Sequence, residues 1–243
     1  MQNIAVIRLV QGKLAWYSPG ASDEPRWLDQ ESAREQLRAT VSQRRAVPVF
    51  AAPGSDVRLL HLTITPEEKK HIGRSLPFML EERVAEDIDS LHFASCALDR
   101  LELAVAVCTE QKMADWQERL ADLPGINQWL PEPLLLPWQS GEWCLVLEDD
   151  SAVVRTGRCE GFAIERDMVP ALLAGALQEG GEPEAVIIYG SEQAADTALL
   201  PDGLAPKVQW RRGNLYSAML ISGQPEPSLN LLQGGWAPRL PLG

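Results

Sequence analysis

This chain of 243 residues is long enough to bury either one large core or two to three small ones. Its formal net charge of −12 argues against a nucleic-acid-binding surface and against direct adhesion to anionic lipid headgroups, because both ligands attract basic proteins. No stretch approaches the ~20 consecutive apolar residues of a membrane-spanning helix.

The chain opens on two apolar, β-prone runs. They flank Gln11-Gly12, and two strands joined by a two-residue turn predict a β-hairpin. No basic region or small-residue cleavage site precedes them, so a secretory signal is not expected. A helix and a strand follow. We predict this hairpin–helix–strand series, the opening half of a ribonuclease-H-like lobe, at residues 4–10, 13–17, 30–41 and 47–52.

The next region begins with an alternating strand at residues 57–64 and then a strong helix start. Thr65 can cap the helix, Pro66 fits its first position, and Glu68 can return the capping-box hydrogen bond. Two paired strands and a second helix complete a β-α-β-β-α unit. We predict these at residues 91–97, 101–108 and 109–123.

The first helix of this unit contains a proline. Apolar residues at helical spacing extend the predicted helix over residues 66–87. Pro77 removes one backbone donor and clashes with the preceding turn, so it should kink this helix or split it after Ser75.

The opening pattern returns after a stretch rich in proline and tryptophan. Trp129, Trp138 and Trp143 lie around this stretch, where they can fill the seam between two lobes or anchor a partner; core packing is the preferred interpretation. A second series of hairpin, third strand, helix, strand, short helix and strand then follows. We predict it at residues 143–148, 152–156, 161–164, 167–179, 185–189, 192–199 and 207–211.

Two such lobes with an insertion in the first resemble the actin-like architecture, an α/β fold. Four prolines make the tail semi-rigid, at Pro225, Pro227, Pro238 and Pro241. The predicted domains are a first lobe, an inserted β-α-β-β-α subdomain, an inter-lobe segment, and a second lobe with its tail, at residues 1–56, 57–122, 123–141 and 142–243.

An actin-like fold raises the question of ATP binding. Nucleotide-binding members place a glycine-containing turn in the first hairpin of each lobe, with an acidic residue beside it for the metal ion. Here Arg8 stands where the first acid is expected, and the second hairpin turns at Glu148-Asp149-Asp150-Ser151 without glycine. The strand end Tyr189-Gly190-Ser191 offers one glycine where adenosine-binding members often have two. An ATP site is therefore not predicted.

Other catalytic chemistry finds little support. Glu148, Asp149 and Asp150 admit a metal-dependent phosphoesterase, although adjacent strand residues point to opposite faces and a solvated turn is the preferred interpretation. No P-loop, nucleophile elbow or HExxH motif occurs. The histidines and cysteines lack metal-ligand spacing, and we interpret them as structural histidines and as reduced core thiols typical of the cytoplasm. These residues are His61, His71, His92, Cys96, Cys108, Cys144 and Cys159.

Two separated motifs carry a resemblance to a known family. The first is LPFMLEERVAEDIDSLHFA at residues 76–94, and the second is LNLLQG at residues 229–234. Together they resemble the cytoplasmic domain of the inner-membrane assembly-platform protein L of bacterial type II secretion systems. In that family LPF-x-LEE-x-x-AED and a closing LNLLQG recur in this order. The order of elements extends the resemblance over nearly the whole chain.

The resemblance implies a non-enzymatic adaptor without a cofactor. It implies recruitment of the N-terminal domain of the secretion ATPase, protein E, together with platform protein M as a partner and a homodimer in the full-length protein. It also implies that a membrane-spanning helix and a small periplasmic domain follow, which would place this domain at the cytoplasmic face of the bacterial inner membrane. The related pilus-assembly protein M keeps its phosphate loops, which makes their loss here informative. An active actin-like ATPase and the phosphoesterase are the alternatives.

One segment suits partner recognition. Apolar side chains around Phe78 can pack on the domain while an acidic face meets a basic partner and steers association electrostatically. An ordinary amphipathic helix with a solvated face is the competing interpretation. The candidate partner-binding residues are Phe78, Glu81, Glu82, Glu86 and Asp87.

Overall fold

A computed structural model describes residues 3–18, 24–222 and 229–239. Pro225, Pro227 and Pro241 lie outside the described residues. No helix in these ranges has the length and apolar character needed to cross a membrane. The strands are β1 (Ile4–Val10), β2 (Lys13–Tyr17), β3 (Arg26–Trp27), β4 (Val47–Ala52), β5 (Arg58–Thr63), β6 (Leu91–Asp99), β7 (Glu102–Thr109), β8 (Trp129–Pro131), β9 (Glu142–Leu147), β10 (Ser151–Gly157), β11 (Glu160–Glu165), β12 (Ala185–Gly190) and β13 (Val208–Arg212). The helices are α1 (Glu31–Ser42), α2 (Pro66–Lys69), α3 (Ile72–Met79), α4 (Glu110–Leu120), α5 (Val169–Gly180), α6 (Gln193–Thr197) and α7 (Leu215–Ser222).

The first sheet has the strand order β3-β2-β1-β4-β8. β1 and β2 form the predicted antiparallel hairpin, and β4 runs parallel to β1 with β8 parallel to β4. Gln11 and Gly12 have φ values of 49° and 79°, the left-handed backbone that a tight two-residue hairpin turn requires. The predicted hairpin, helix and strand of the first lobe are confirmed.

The second sheet repeats this arrangement in the order β11-β10-β9-β12-β13. β9, β10 and β11 are antiparallel neighbours, and β12 runs parallel to both β9 and β13. Two sheets with the same strand order and the same mixture of directions constitute two ribonuclease-H-like lobes. The predicted actin-like α/β fold is confirmed.

A third sheet, in the antiparallel order β5-β7-β6, belongs to the region between β4 and β8. It has its own apolar core, in which Leu76 and Leu80 pack against Val105. Helix α4, in contrast, directs Trp116 into the core of the first lobe beside Phe50. The region therefore packs partly as a separate unit and partly as a layer of the first lobe.

The helix predicted over residues 66–87 is much shorter and is broken elsewhere. Thr65 and Glu68 form the predicted capping box, but α2 ends at Lys69 and α3 begins at Ile72. Helix α3 continues through Ser75 and Pro77 to Met79, so the predicted split after Ser75 is wrong. The break precedes the proline, whose missing donor falls in the last turns of a helix that ends two residues later.

The stretch between the lobes is structured rather than a simple crossing. Trp129 lies on β8 and packs edge-on against Phe50 and Trp116 in the first lobe. Trp143 packs in the core of the second lobe, and the Trp138 indole nitrogen donates to the Glu142 carbonyl at 2.8 Å. The three tryptophans therefore do not form one cluster in the seam between the lobes.

Helix α7 fills that seam instead. Its Leu215 and Met219 pack with Val6 of the first sheet and Val146 of the second in one apolar cluster. The sequence of α7, LYSAMLIS, is apolar almost throughout, so it lacks the one-sided stripe that identifies a surface helix. It was not predicted for this reason.

Candidate functional site

The predicted partner-binding residues lie at and beyond the end of α3, and we call them the acidic surface (Phe78, Glu81, Glu82, Glu86 and Asp87). The Phe78 side chain is 70% exposed, whereas Leu80, two residues on, is fully buried. All four carboxylates are exposed. In the part of the chain that the structure describes, none of the four forms an ion pair.

The acidic surface is not the single helical face that the periodicity predicts. Glu81 and Glu82 lie on a 3₁₀ turn (Glu81–Arg83), and the backbone is extended at Val84. Arg83 holds this turn against β5, because its guanidinium donates to the His61 carbonyl at 2.8 Å. Glu86 and Asp87 therefore follow in a loop. The surface joins one exposed aromatic ring to a bent acidic segment.

A buried ion pair lies between the lobes. Arg8 on β1 donates through Nε to Glu132 Oε2 at 2.8 Å, and the two side chains are only 12% and 7% exposed. Arg8 Nη1 also lies 3.8 Å from Glu148 Oε1 of the second lobe. Burial alone would lower the pKa of Arg8, but the charges of Glu132 and Glu148 outweigh it and raise the pKa above its usual value. The guanidinium therefore stays charged and connects both lobes.

Two tyrosines stack beside this pair. The Tyr17 and Tyr216 rings lie 3.3 Å apart between centroids, at an interplanar angle of 14°. Arg8 lies over the Tyr216 ring, with its guanidinium carbon 5.6 Å from the centroid. Burial raises the pKa of both phenols, so both stay neutral well above neutral pH. Arg8, Glu132 and the stacked rings thus occupy the region between β1 and the second lobe with protein side chains.

The two hairpin turns make contacts within the protein. The Gly12 carbonyl accepts a hydrogen bond from Arg119 Nη1 of α4 at 2.7 Å. In the second turn, the Glu148 amide donates to the Ser151 carbonyl at 2.9 Å, and Asp149 and Asp150 are exposed. Burial raises the pKa of Glu148, and the neighbouring Arg8 partly offsets this. Glu148 faces Arg8 rather than sharing a ligand site with the two aspartates. Among the described residues, no three His, Cys, Asp or Glu side chains are grouped to hold a metal ion.

The glycine at the end of β12 makes room for a side chain of the protein. A Cβ atom on Gly190 would lie 1.9 Å from Asp196 Oδ2. Asp196 is 1% exposed, accepts from Arg166 Nη2 at 2.8 Å and accepts from the Trp210 indole nitrogen at 2.9 Å. The space beside Gly190 is therefore filled by the buried carboxylate of Asp196.

The closing motif at residues 229–234 returns to the first lobe. Leu229 and Leu231 are buried in its core. The Leu231 amide donates to the Trp129 carbonyl at 2.9 Å, and the Leu231 carbonyl lies 2.6 Å from His92 Nε2. The prediction assigned this segment to the second lobe and His92 to structural packing; His92 is indeed buried.

The polar residues of the motif complete this docking. Asn230 Oδ1 accepts from the Trp129 amide at 3.0 Å, so the side chain satisfies a backbone donor of β8. The Gln233 side chain accepts from the Ser95 amide at 3.0 Å and donates to the Ser95 carbonyl at 2.9 Å, as a neighbouring strand would. The segment combines leucines that enter the core with two amide side chains that pair with backbone. This combination was the available signal for a docked segment.

Comparison with known proteins agrees with this architecture. The model of the family described as type II secretion system (T2SS), protein L, matches residues 12–239. The chain belongs to the type II secretion system protein L family. Protein L of Pectobacterium carotovorum subsp. carotovorum is 24% identical over 234 residues, covering 94% of this chain and 54% of the relative. Protein L of Dickeya chrysanthemi is 28% identical over 170 residues, covering 65% and 43%. The chain thus spans about half the length of these curated relatives.

A solved structure shares the fold of this protein L chain. The cytoplasmic domain of EpsL, an inner membrane component of the type II secretion system of Vibrio cholerae, superposes with a TM-score of 0.71 at 19% sequence identity. The match covers 97% of this chain and 100% of that domain. At this identity the match supports the fold alone.

Proposed function

We propose that this chain is a non-enzymatic adaptor domain that recruits the secretion ATPase to the type II secretion platform at the cytoplasmic face of the bacterial inner membrane. The observation that carries the proposal is the exposed Phe78 next to four exposed carboxylates that make no ion pair with a described residue, on a chain of the protein L family. The proposed partner surface, on the N-terminal domain of the ATPase, combines an apolar pocket with basic residues around it. The ring supplies buried contact area, and the carboxylates supply steering and orientation.

The proposal extends to the wider assembly through family membership. Platform protein M is a further partner, the full-length protein is a homodimer, and a membrane-spanning helix follows the tail. The docking of residues 229–234 onto the first lobe fits this arrangement, because it connects the membrane-proximal end to the lobe rather than leaving it free. Movement of the membrane-proximal end would then be transmitted to the first lobe, and movement of the lobe to that end.

The region between the lobes supports an adaptor rather than an ATPase. Arg8 and Glu132 neutralise one another there, the tyrosines fill space, and Asp196 occupies the room beside Gly190. An acidic second turn would also repel a triphosphate. We therefore do not propose the active ATPase or the metal-dependent phosphoesterase as a function.

We expect no stable binding of Mg-ATP, because the turns that cradle phosphates are absent and the region between the lobes holds its own side chains. Calorimetric titration of the chain with Mg-ATP should give no saturable heat. Saturable binding at micromolar concentrations, abolished by a substitution between the lobes, would contradict this and favour the actin-like ATPase.

Replacing Phe78 by serine should weaken capture of the ATPase N-terminal domain about tenfold or more, since an exposed aromatic anchor contributes on the order of 2 kcal/mol to an interface. The fold should be unaffected, because the ring is 70% exposed. Met168→Ser is the matched control, as Met168 is a 45% exposed apolar side chain at the start of α5 in the second lobe. A pull-down in which both variants retain the partner equally would exclude Phe78 from the interface.

A further inference from the structure

Two cysteines from distant parts of the sequence meet where the third sheet contacts the second lobe. Cys96 lies on β6, and Cys159 lies in the turn between β10 and β11. Cys96 packs against the apolar cluster that contains Cys159, and each thiol is the largest influence on the pKa of the other. Arg158 of the same turn donates to the Leu98 carbonyl of β6 at 3.4 Å. The turn and the strand are thus held side by side with two free thiols between them.

The two thiols differ in reactivity. The neighbouring Cys159 thiol lowers the pKa of Cys96 to about 7, and the charge of Arg158 acts in the same direction against burial. The Cys96 thiol and burial raise the pKa of Cys159. Cys96 is also partly exposed, whereas Cys159 is buried. A partly exposed thiolate beside a second, buried thiol is the arrangement in which an attacking cysteine has a resolving partner.

We propose that Cys96 and Cys159 are a modification site at which hydrogen peroxide forms a reversible disulfide between the third sheet and the second lobe. The Cys96 thiolate attacks one peroxide oxygen, the O–O bond breaks, and a sulfenic acid and one water form. The Cys159 sulfur then attacks the Cys96 sulfur, the S–O bond breaks, and the disulfide and a second water form. Two thiols are oxidised and one hydrogen peroxide is reduced. A thiol reductant reverses the bond by exchange.

The disulfide would join the third sheet and the second lobe by a covalent bond, whereas in the reduced protein they are in non-covalent contact. The bridge would span from β6, on one side of the lobe crossing, to the β10–β11 turn on the other. Closing such a long loop restricts the unfolded chain and fixes the third sheet on the second lobe. The acidic surface lies on the unit that would be fixed. Oxidation would therefore change how that surface is held relative to the second lobe.

The remaining cysteines are internal controls. Burial raises the pKa of both Cys108 and Cys144 to about 12, so neither is a thiolate at neutral pH. Each of the four cysteines lies in a different tryptic peptide, at residues 84–100, 101–112, 120–155 and 159–166. A linked pair of peptides therefore identifies the bridge without ambiguity.

The test is oxidation of the whole chain with hydrogen peroxide, followed by alkylation of remaining thiols, digestion with trypsin and mass spectrometry. We expect residues 84–100 linked to residues 159–166, with a mass lower than the sum by two hydrogens, and loss of the link with dithiothreitol. The oxidised chain should be monomeric and should melt at a higher temperature than the reduced chain. Cys96→Ser should abolish the link and the shift, and Cys108→Ala should retain both. Equal oxidation of all four thiols, a link only between separate chains, or sulfinic acid at Cys96 without a link would overturn the proposal.

Discussion

Replacing Arg8 by methionine is expected to destabilise the protein by about 3–5 kcal/mol, the usual cost of removing one partner from a buried ion pair. Among the described residues no other cation pairs with the Glu132 carboxylate, which is 7% exposed, and its other oxygen accepts the Gly54 amide at 3.3 Å. In a domain of this size, Tm should fall by about 2–4 °C for each kcal/mol. Urea unfolding of both proteins measures the difference directly.

Two further variants separate the buried charge from other effects. Arg38→Met removes an exposed partner of Glu31, with side chains 45% and 56% exposed, and should change stability by less than about 1 kcal/mol. The double variant Arg8→Met with Glu132→Gln removes both charges of this buried pair and keeps an acceptor for the Gly54 amide. It should recover a large part of the lost stability, because the penalty belongs to the unpaired carboxylate. If the single and double variants lose the same free energy of unfolding, packing of the Arg8 side chain, rather than its charge, holds the lobes together.

Reversing the four charges of the acidic surface to lysine should slow association with the ATPase N-terminal domain about tenfold or more at low salt. The melting temperature should hardly change, because exposed carboxylates without ion pairs contribute little to stability. Raising the salt concentration should slow wild-type association as well, since screening shortens the reach of surface charge to about 10 Å near 0.1 M. Association rates of both proteins at two salt concentrations measure the effect.

A control with the same change in net charge distinguishes local steering from the field of the whole protein. It reverses four exposed carboxylates of the second lobe that make no ion pair with a described residue. These are Glu165, Asp167, Glu179 and Asp202. If the control slows association as much as the acidic-surface variant does, the surface has no special role and only the total charge matters.

The sequence predicted most of the regular structure because its signals are local. The two-residue turn at Gln11-Gly12 and the capping box of Thr65 and Glu68 each depend on a few neighbouring residues, and both are present. Repetition of the hairpin–helix–strand series was sufficient to predict the two lobes. Helix α3 shows the limit of such signals: its periodicity continued past Leu80, whereas burial of Leu80 and the contact of Arg83 with β5 end the helix there.

The site features that the sequence did not predict are pairings over long separations. From the sequence, Arg8 was interpreted only as a basic residue at a position where an acidic one was expected. Nothing near it in the chain indicates its partner Glu132, which lies 124 positions away. The sequence identified Asn230 and Gln233 only as members of a motif. Their hydrogen bonds to β8 and β6 join residues that are far apart in the chain. The apolar side chains around Phe78 were expected to pack on the domain, whereas the Phe78 ring is 70% exposed. Both this exposure and the bend that separates Phe78 from Glu86 are properties of tertiary packing.

The most direct test of the adaptor is titration of this chain with the purified N-terminal domain of the secretion ATPase in a calorimeter at low salt. We expect saturable binding with one ATPase domain for each chain, weakened by added salt and by Phe78→Ser but not by Met168→Ser. Absence of saturable heat at micromolar concentrations of both folded proteins would contradict it, as would binding that neither Phe78 nor the four carboxylates affect.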